Sequence, residues 1–211
     1  AIAMGKKDHA ILLDTSDLSY EYAPLELPHQ KIIVTNSQKA RLAVDERYQE
    51  RQAQCQEALH DLQTVIAIQN LSELTADVFE QVQEMIRRPV CLRRARHAVT
   101  ENQRTIQAVE ALNKGDIREF GQLMNASHLS LKEDFEVSCE ELDILVEEAW
   151  EIEGVLGSRM MGAGFGGCTI SIVETDAVNE FVSRVGSHYK ERTGRTAEFY
   201  IMETGNGASE V

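Results

Sequence analysis

Apolar and polar residues first recur at strand spacing. His9-Ala-Ile-Leu-Leu-Asp14 and Leu18-Ser-Tyr-Glu-Tyr-Ala23 flank the polar turn Thr15-Ser16-Asp17 and predict a hairpin. Pro24 and Pro28 bracket a connector, and the β-branched run Lys31-Ile-Ile-Val-Thr-Asn36 predicts a third strand. Past Ser37 the period lengthens. Tyr48, Gln52, Cys55, Leu59, Leu62 and Ile66 recur every three or four residues and describe an amphipathic helix. Residues 75–86 predict a second helix, stopped before Pro89. Leu92, Ala95, Val99, Ile106, Val109 and Leu112 mark a third, ended by Gly115. Asp116 is placed to cap a fourth, which puts Ile117, Phe120, Met124 and Leu131 on one face. Ser138-Cys-Glu-Glu141 spells a capping box and opens a fifth helix with Leu142, Leu145, Val146 and Ala149 inside.

After Gly154 the texture becomes glycine-rich from Gly157 to Gly167, leading into a strand over residues 168–173. Asp176 is placed to cap a last helix carrying Val178, Phe181, Val182, Val185 and Tyr189, Gly194 ends it, and residues 196–202 predict a final strand. The order is strands, several helices, then strand-helix-strand. That segregation favours an α+β fold over a doubly wound parallel sheet.

The 211 residues, 43% hydrophobic, suffice for a real core, and the net charge of −14 argues against nucleic acid or an anionic membrane as the main partner. Ten of the acids, and no Lys or Arg, lie between residues 133 and 153, so the acidity is mostly one segment. Cys55, Cys91, Cys139 and Cys168 are far apart, with no C-x-x-C pair, which suits a reducing cytoplasm and suggests neither a zinc site nor a disulfide framework. No apolar run reaches the roughly 18 residues of a spanning helix. The start lacks the apolar stretch of a signal peptide and an initiator Met, so Ala1 fits ordinary processing or a cut inside a longer chain.

Gly162-Ala163-Gly164-Phe165-Gly166-Gly167 is the strongest local chemical signal, because glycines at positive φ let backbone N–H groups approach an anion. It is not a Walker loop, since no Lys follows, nor a dinucleotide fingerprint, since it leads into a strand. Spacing alone favours a tight loop or bulge before Cys168. His128 lies one position off its helix stripe and reads as a hydrogen-bonded, half-buried residue rather than a base. Arg87, Arg88, Arg93, Arg94 and Arg96 lack interleaved aromatics and read as a solvated face or a clamp for the acidic segment. The charges around Tyr48 fit simple helix pairing.

Taken together, three segments carry a resemblance: residues 158–168, Ser-Arg-Met-Met-Gly-Ala-Gly-Phe-Gly-Gly-Cys; residues 45–51, Asp-Glu-Arg-Tyr-Gln-Glu-Arg; and residues 125–139, which open Asn-Ala-Ser-His-Leu-Ser-Leu. They resemble the galactokinases of the GHMP small-molecule kinase superfamily, and the likeness runs end to end. The resemblance implies an enzyme that uses ATP and Mg²⁺ to phosphorylate the C1 hydroxyl of D-galactose, and a ferredoxin-like C-terminal domain. It places the catalytic aspartate, the sugar-gripping motif and the phosphate loop upstream of Ala1. The chain is therefore expected to be the C-terminal half, with no catalytic residue or metal ligand of its own, ATP and Mg²⁺ being held mainly by the absent half, and to be inactive alone. Residues 1–44 are expected to be strands beside the missing domain, exposed enough to drive self-association, and residues 45–211 to be the C-terminal domain. Tyr48 matches the tyrosine that hydrogen-bonds galactose, a role a neutral phenol suits. Gly162, Ala163, Gly164, Phe165, Gly166 and Gly167 match the loop near the nucleotide. Met161 stands where the family usually has Thr or Ser. A GHMP kinase for N-acetylgalactosamine or a uronic acid, or a non-catalytic galactose sensor on the same fold, are the alternatives.

Overall fold

A computed structural model describes residues 4–41 and 44–208. Two strands, β1 (His9–Leu13) and β2 (Tyr20–Pro24), form an antiparallel hairpin with His9 opposite Pro24 and Leu13 opposite Tyr20. Strand β3 (Gln30–Asn36) follows. Helices α1 (Val44–Leu62), α2 (Ala76–Val82), α3 (Pro89–Asn113), α4 (Ile117–Glu133) and α5 (Glu140–Trp150) come next, then β4 (Val155–Met161), β5 (Cys168–Glu174), α6 (Val178–Thr193) and β6 (Glu198–Met202). The order predicted from the sequence is the order found, except that β4 is an added strand where a glycine-rich stretch was expected.

Strands β4, β5, β3 and β6 lie side by side in that order, every neighbouring pair antiparallel. With intervening helices this is the split β-α-β arrangement of ferredoxin-like folds. Helices α5 and α6 cover one face, burying Ile33, Ile144, Leu145, Val173, Phe181 and Tyr189 in one core. Helix α4 covers part of the other, where Met124, Leu156 and Ile172 are buried. It comes so close that a Cβ on Gly121 would stand 2.1 Å from the Leu156 carbonyl oxygen, so the helix rests on bare backbone. Helices α1, α2 and α3 share a separate core of Ala58, Leu62, Phe79, Cys91 and Val99. No described helix is long and apolar enough to cross a membrane.

The structure corrects several expectations. Strand β3, grouped above with residues 1–44, is an inner strand of the sheet, bonded to β5 on one edge and β6 on the other, with Ile33 and Thr35 fully buried. A β-branched run with no proline is what an inner strand requires. The first half of the glycine-rich stretch is strand β4, whose alternation is broken by a register shift between Val155 and Gly157. The fifth helix has Cys139 at its cap, with no side-chain cap bond, because the Ser138 hydroxyl donates to Asp143 at 2.5 Å instead. A 3₁₀ turn over Thr175–Ala177 comes before α6, so Asp176 does not cap it. Asp116 does cap α4, accepting from the Glu119 N–H at 2.9 Å.

Candidate functional site

Residues 162–167 close the turn between β4 and β5. Gly164, Phe165, Gly166 and Gly167 have φ values of 74°, 57°, 130° and 86° in succession, a run that only a glycine-rich sequence adopts. The loop is pinned at four points, one of them the Arg41 Nε, which donates to the Gly166 carbonyl at 3.4 Å. The Phe165 N–H donates to the Val137 carbonyl at 2.7 Å, the Gly167 N–H to the Lys39 carbonyl at 3.2 Å, and the Gly167 carbonyl accepts from both the N–H and the hydroxyl of Ser37. The Phe165 ring drops into a buried pocket with Leu131, Val137, Leu142 and Met160. Among the described residues, the N–H groups of Ala163, Gly164 and Gly166 have no protein acceptor. Such groups on a rigid loop can face an anion.

Tyr48, in the first turns of α1, packs edge-on against Phe165 and Phe135, with ring centroids 6.1 and 6.3 Å away. The two sequence-predicted site elements, some 115 positions apart, thus touch through one aromatic contact. Burial raises the Tyr48 phenol above its ordinary value, and the Arg41 charge only partly offsets this, so the ring stays neutral. The hydroxyl has no hydrogen-bond partner among the described residues, so both its donor and its acceptor capacity are open. The Arg47 guanidinium lies 4.8 Å from the centre of the Phe165 ring and closes the opposite side of the contact.

Three residues that sequence reasoning missed complete the site. Ser37 holds the loop end, Lys39 supplies the carbonyl above and pairs its ammonium with Glu141 at 2.7 Å, and the Arg41 guanidinium lies over Gly162 and Gly167. They sit in the polar connector after β3, and their link to the glycines spans some 130 positions. A basic pair in an otherwise neutral connector was the one available signal.

His128 is fully buried rather than half-buried. Its Nδ1 accepts the Met160 N–H at 3.2 Å, its ring meets Trp150 edge-on, and its Nε2 faces Asp143 at 3.4 Å. Burial pushes the Asp143 carboxyl up, but bonds from His128 and Ser138 and the Lys132 charge outweigh it and leave it below the usual carboxylate range. The cluster braces β4 just ahead of the loop. Of the five arginines three form the clamp, Arg93 and Arg94 reaching Glu136 and Arg96 facing Asp134 at 3.8 Å, while Arg87 and Arg88 pair with Asp61 and Glu57 of α1.

Residues 108–191 match the family of GHMP kinases, C terminal. Galactokinases of Levilactobacillus brevis and Fusobacterium nucleatum are 52% and 53% identical to the chain over its whole length, which corresponds to 54% of each relative. The solved Lactococcus lactis galactokinase, in complex with galactose, superposes with a TM-score of 0.94 at 44% identity over all of this chain and 54% of that one. The chain belongs to the galactokinase family. It spans about half the length of the curated relatives it matches. The mevalonate kinase of L. major, at 20% identity and TM-score 0.61 over 94% of this chain and 50% of that one, shares the fold alone. Within the family, the GHMP C-terminal match ends before β6, the strand that completes the sheet.

Proposed function

We infer that this chain forms one wall of a cleft in a cytoplasmic galactokinase, an enzyme that moves the γ-phosphate of ATP to the C1 hydroxyl of D-galactose with Mg²⁺. The observation that carries the reading is the contact between Tyr48 and Phe165, which joins the sugar-side tyrosine to the nucleotide-side loop. Phosphoryl transfer depends on positioning and on neutralising the transferred charge. The Tyr48 hydroxyl supplies positioning: held by two flanking rings and kept neutral, it donates to or accepts from a sugar hydroxyl without adding charge. The unpaired N–H groups of the loop and the Arg41 guanidinium supply positive potential where a nucleotide would pass. Among the described residues no group of three or more His, Cys, Asp or Glu could hold a metal ion. Four unpaired cysteines suit a reducing compartment.

The test is a chimera in which these 211 residues replace the matching part of the Levilactobacillus brevis relative. It is expected to phosphorylate galactose in preference to N-acetylgalactosamine. Tyr48→Phe should raise the KM for galactose about fivefold, as expected for one neutral hydrogen bond worth about 1 kcal/mol, with kcat within about twofold. An unchanged KM removes Tyr48 from the sugar site. The 211 residues alone, given ATP, Mg²⁺ and galactose, should form no galactose 1-phosphate above a no-protein control.

A further inference from the structure

A cavity of about 360 Å³ lies on the face of the sheet away from α5 and α6, between β3 and β5 on one side and α3 and α4 on the other. It meets the glycine loop only at Gly162, and Tyr48 is not part of it. Most of its wall is apolar, from Ile32, Phe120, Met124, Ile170 and Ile172. Five polar side chains line it: Glu101, Arg104 and Thr105 from α3, Ser127 from α4 and Arg159 from β4.

The charges there do not balance. Arg104 pairs with Glu101, whose other oxygen accepts from the Ser127 hydroxyl at 2.5 Å. Arg159 has no carboxylate partner among the described residues, and its one acceptor is the Met160 carbonyl, 3.0 Å from Nε. One positive charge is therefore left over inside a largely apolar enclosure, an expensive arrangement unless an anion completes it. The surroundings register that excess. Buried His97 is pushed down to about 3, first by desolvation and then by the charges of Arg104, Arg159 and Arg94. A volume near the lower end of small-molecule pockets, an apolar wall and a few convergent polar groups are the usual features of a ligand site.

We propose that this cavity binds a small organic anion, its carboxylate or phosphate on the Arg159 guanidinium beside Arg104 and its apolar body against Ile32, Phe120, Ile170 and Ile172. The site borders the nucleotide-side loop at Gly162 alone and leaves out Tyr48, and its occupancy is read without turnover. A failure of the kinase reading and a failure of this one are thus distinguishable.

The experiment is calorimetric titration of the 211-residue chain with hexanoate, hexyl phosphate and uncharged hexanol. Either or both anions should bind at least about tenfold more tightly than hexanol, as expected for a charge-assisted hydrogen bond in a partly dry site. Whichever anion binds more tightly identifies the head group. Arg159→Gln should weaken anion binding about tenfold or more, while Arg192→Gln, on the exposed face of α6, should leave it unchanged. Arg159→Gln should also keep its unfolding midpoint in anion-free buffer, because it removes an unpaired charge. A second variant, Ala108→Phe, fills the cavity with Arg159 intact and should displace the same anions, which covers the case in which Arg159→Gln does not fold. Anions binding no better than hexanol, or binding that neither variant weakens, overturns the proposal.

Discussion

Truncation of Arg94 to alanine is expected to destabilise the chain by about 3 kcal/mol, because it empties a buried site and leaves the Gln54 amide oxygen and the Asp134 carbonyl without their donor. Arg94 is 1% exposed. Its Nε donates to Gln54 at 2.7 Å, one terminal nitrogen donates to the Asp134 carbonyl, and the other donates to the Glu136 carboxylate. Arg51 ties the same segment from α1, donating to the carbonyls of Phe135 and Glu136 at 2.7 and 3.0 Å. The next residue, Val137, is the one whose carbonyl holds Phe165. The consequence reaches the site, because α3 fixes residues 134–136, these fix Val137, and Val137 fixes the glycine loop. Urea denaturation followed by circular dichroism measures the stability loss, and the chimera with Arg94→Ala should lose activity along with it. A change below about 1 kcal/mol would show that the network is not holding the segment.

The same network sets a pH dependence. The bond from Arg94 is the largest influence; burial, next in size, opposes it, and the charges of Arg94, Arg93 and Arg51 add to it, so the Glu136 carboxyl is held below its ordinary 4.5. A carboxylate depressed in the folded state contributes stability that is fully present above its unfolded value and is lost as pH falls through the folded one. The difference between wild type and Arg94→Ala should therefore be constant near neutrality and narrow below about pH 4.5.

Gly164→Ala is expected to cost about 3 kcal/mol, whereas Gly162→Ala should cost about 1 kcal/mol. Both have φ near +70°, so the left-handed penalty is common to the two. They differ in what a Cβ would meet. At Gly164 it would lie 2.1 Å from the Val137 carbonyl oxygen and 2.9 Å from the Met160 side chain, so backbone has to move. At Gly162 the nearest atom is the tip of the Arg41 side chain at 3.2 Å, which can swing away. Thermal unfolding of the two variants measures the gap. Equal losses would mean that φ alone, and not the close approach to Val137, makes this loop glycine-dependent.

Much of this architecture is legible in the residues themselves. Helices α1 and α3–α6 announce themselves by apolar positions at three- and four-residue spacing, and Asp116 and Gly194 mark their ends through local chemistry, a side-chain cap and a left-handed residue at φ 70°. The hairpin of β1 and β2 follows from alternation around a polar turn. Strand β4 hides because Gly157 and the adjacent register shift break its alternation, and because Met160 and Arg159 point to opposite faces that are both occupied. The Ser138 cap fails because a carboxylate five residues on competes for the hydroxyl.

The sequence by itself determined every element but β4, the α+β class and, through its three motifs, the family, since spacing, capping and motif spelling are local properties of the chain. The tertiary structure alone decided that β3 is an inner strand, that Tyr48 meets the glycine loop through Phe165, and that Ser37, Lys39 and Arg41 hold that loop from 130 positions away. It alone left Arg159 without a carboxylate partner among the described residues, in a largely apolar cavity. Those facts depend on which surfaces pack together, and packing partners are set by the fold as a whole, not by the residues on either side.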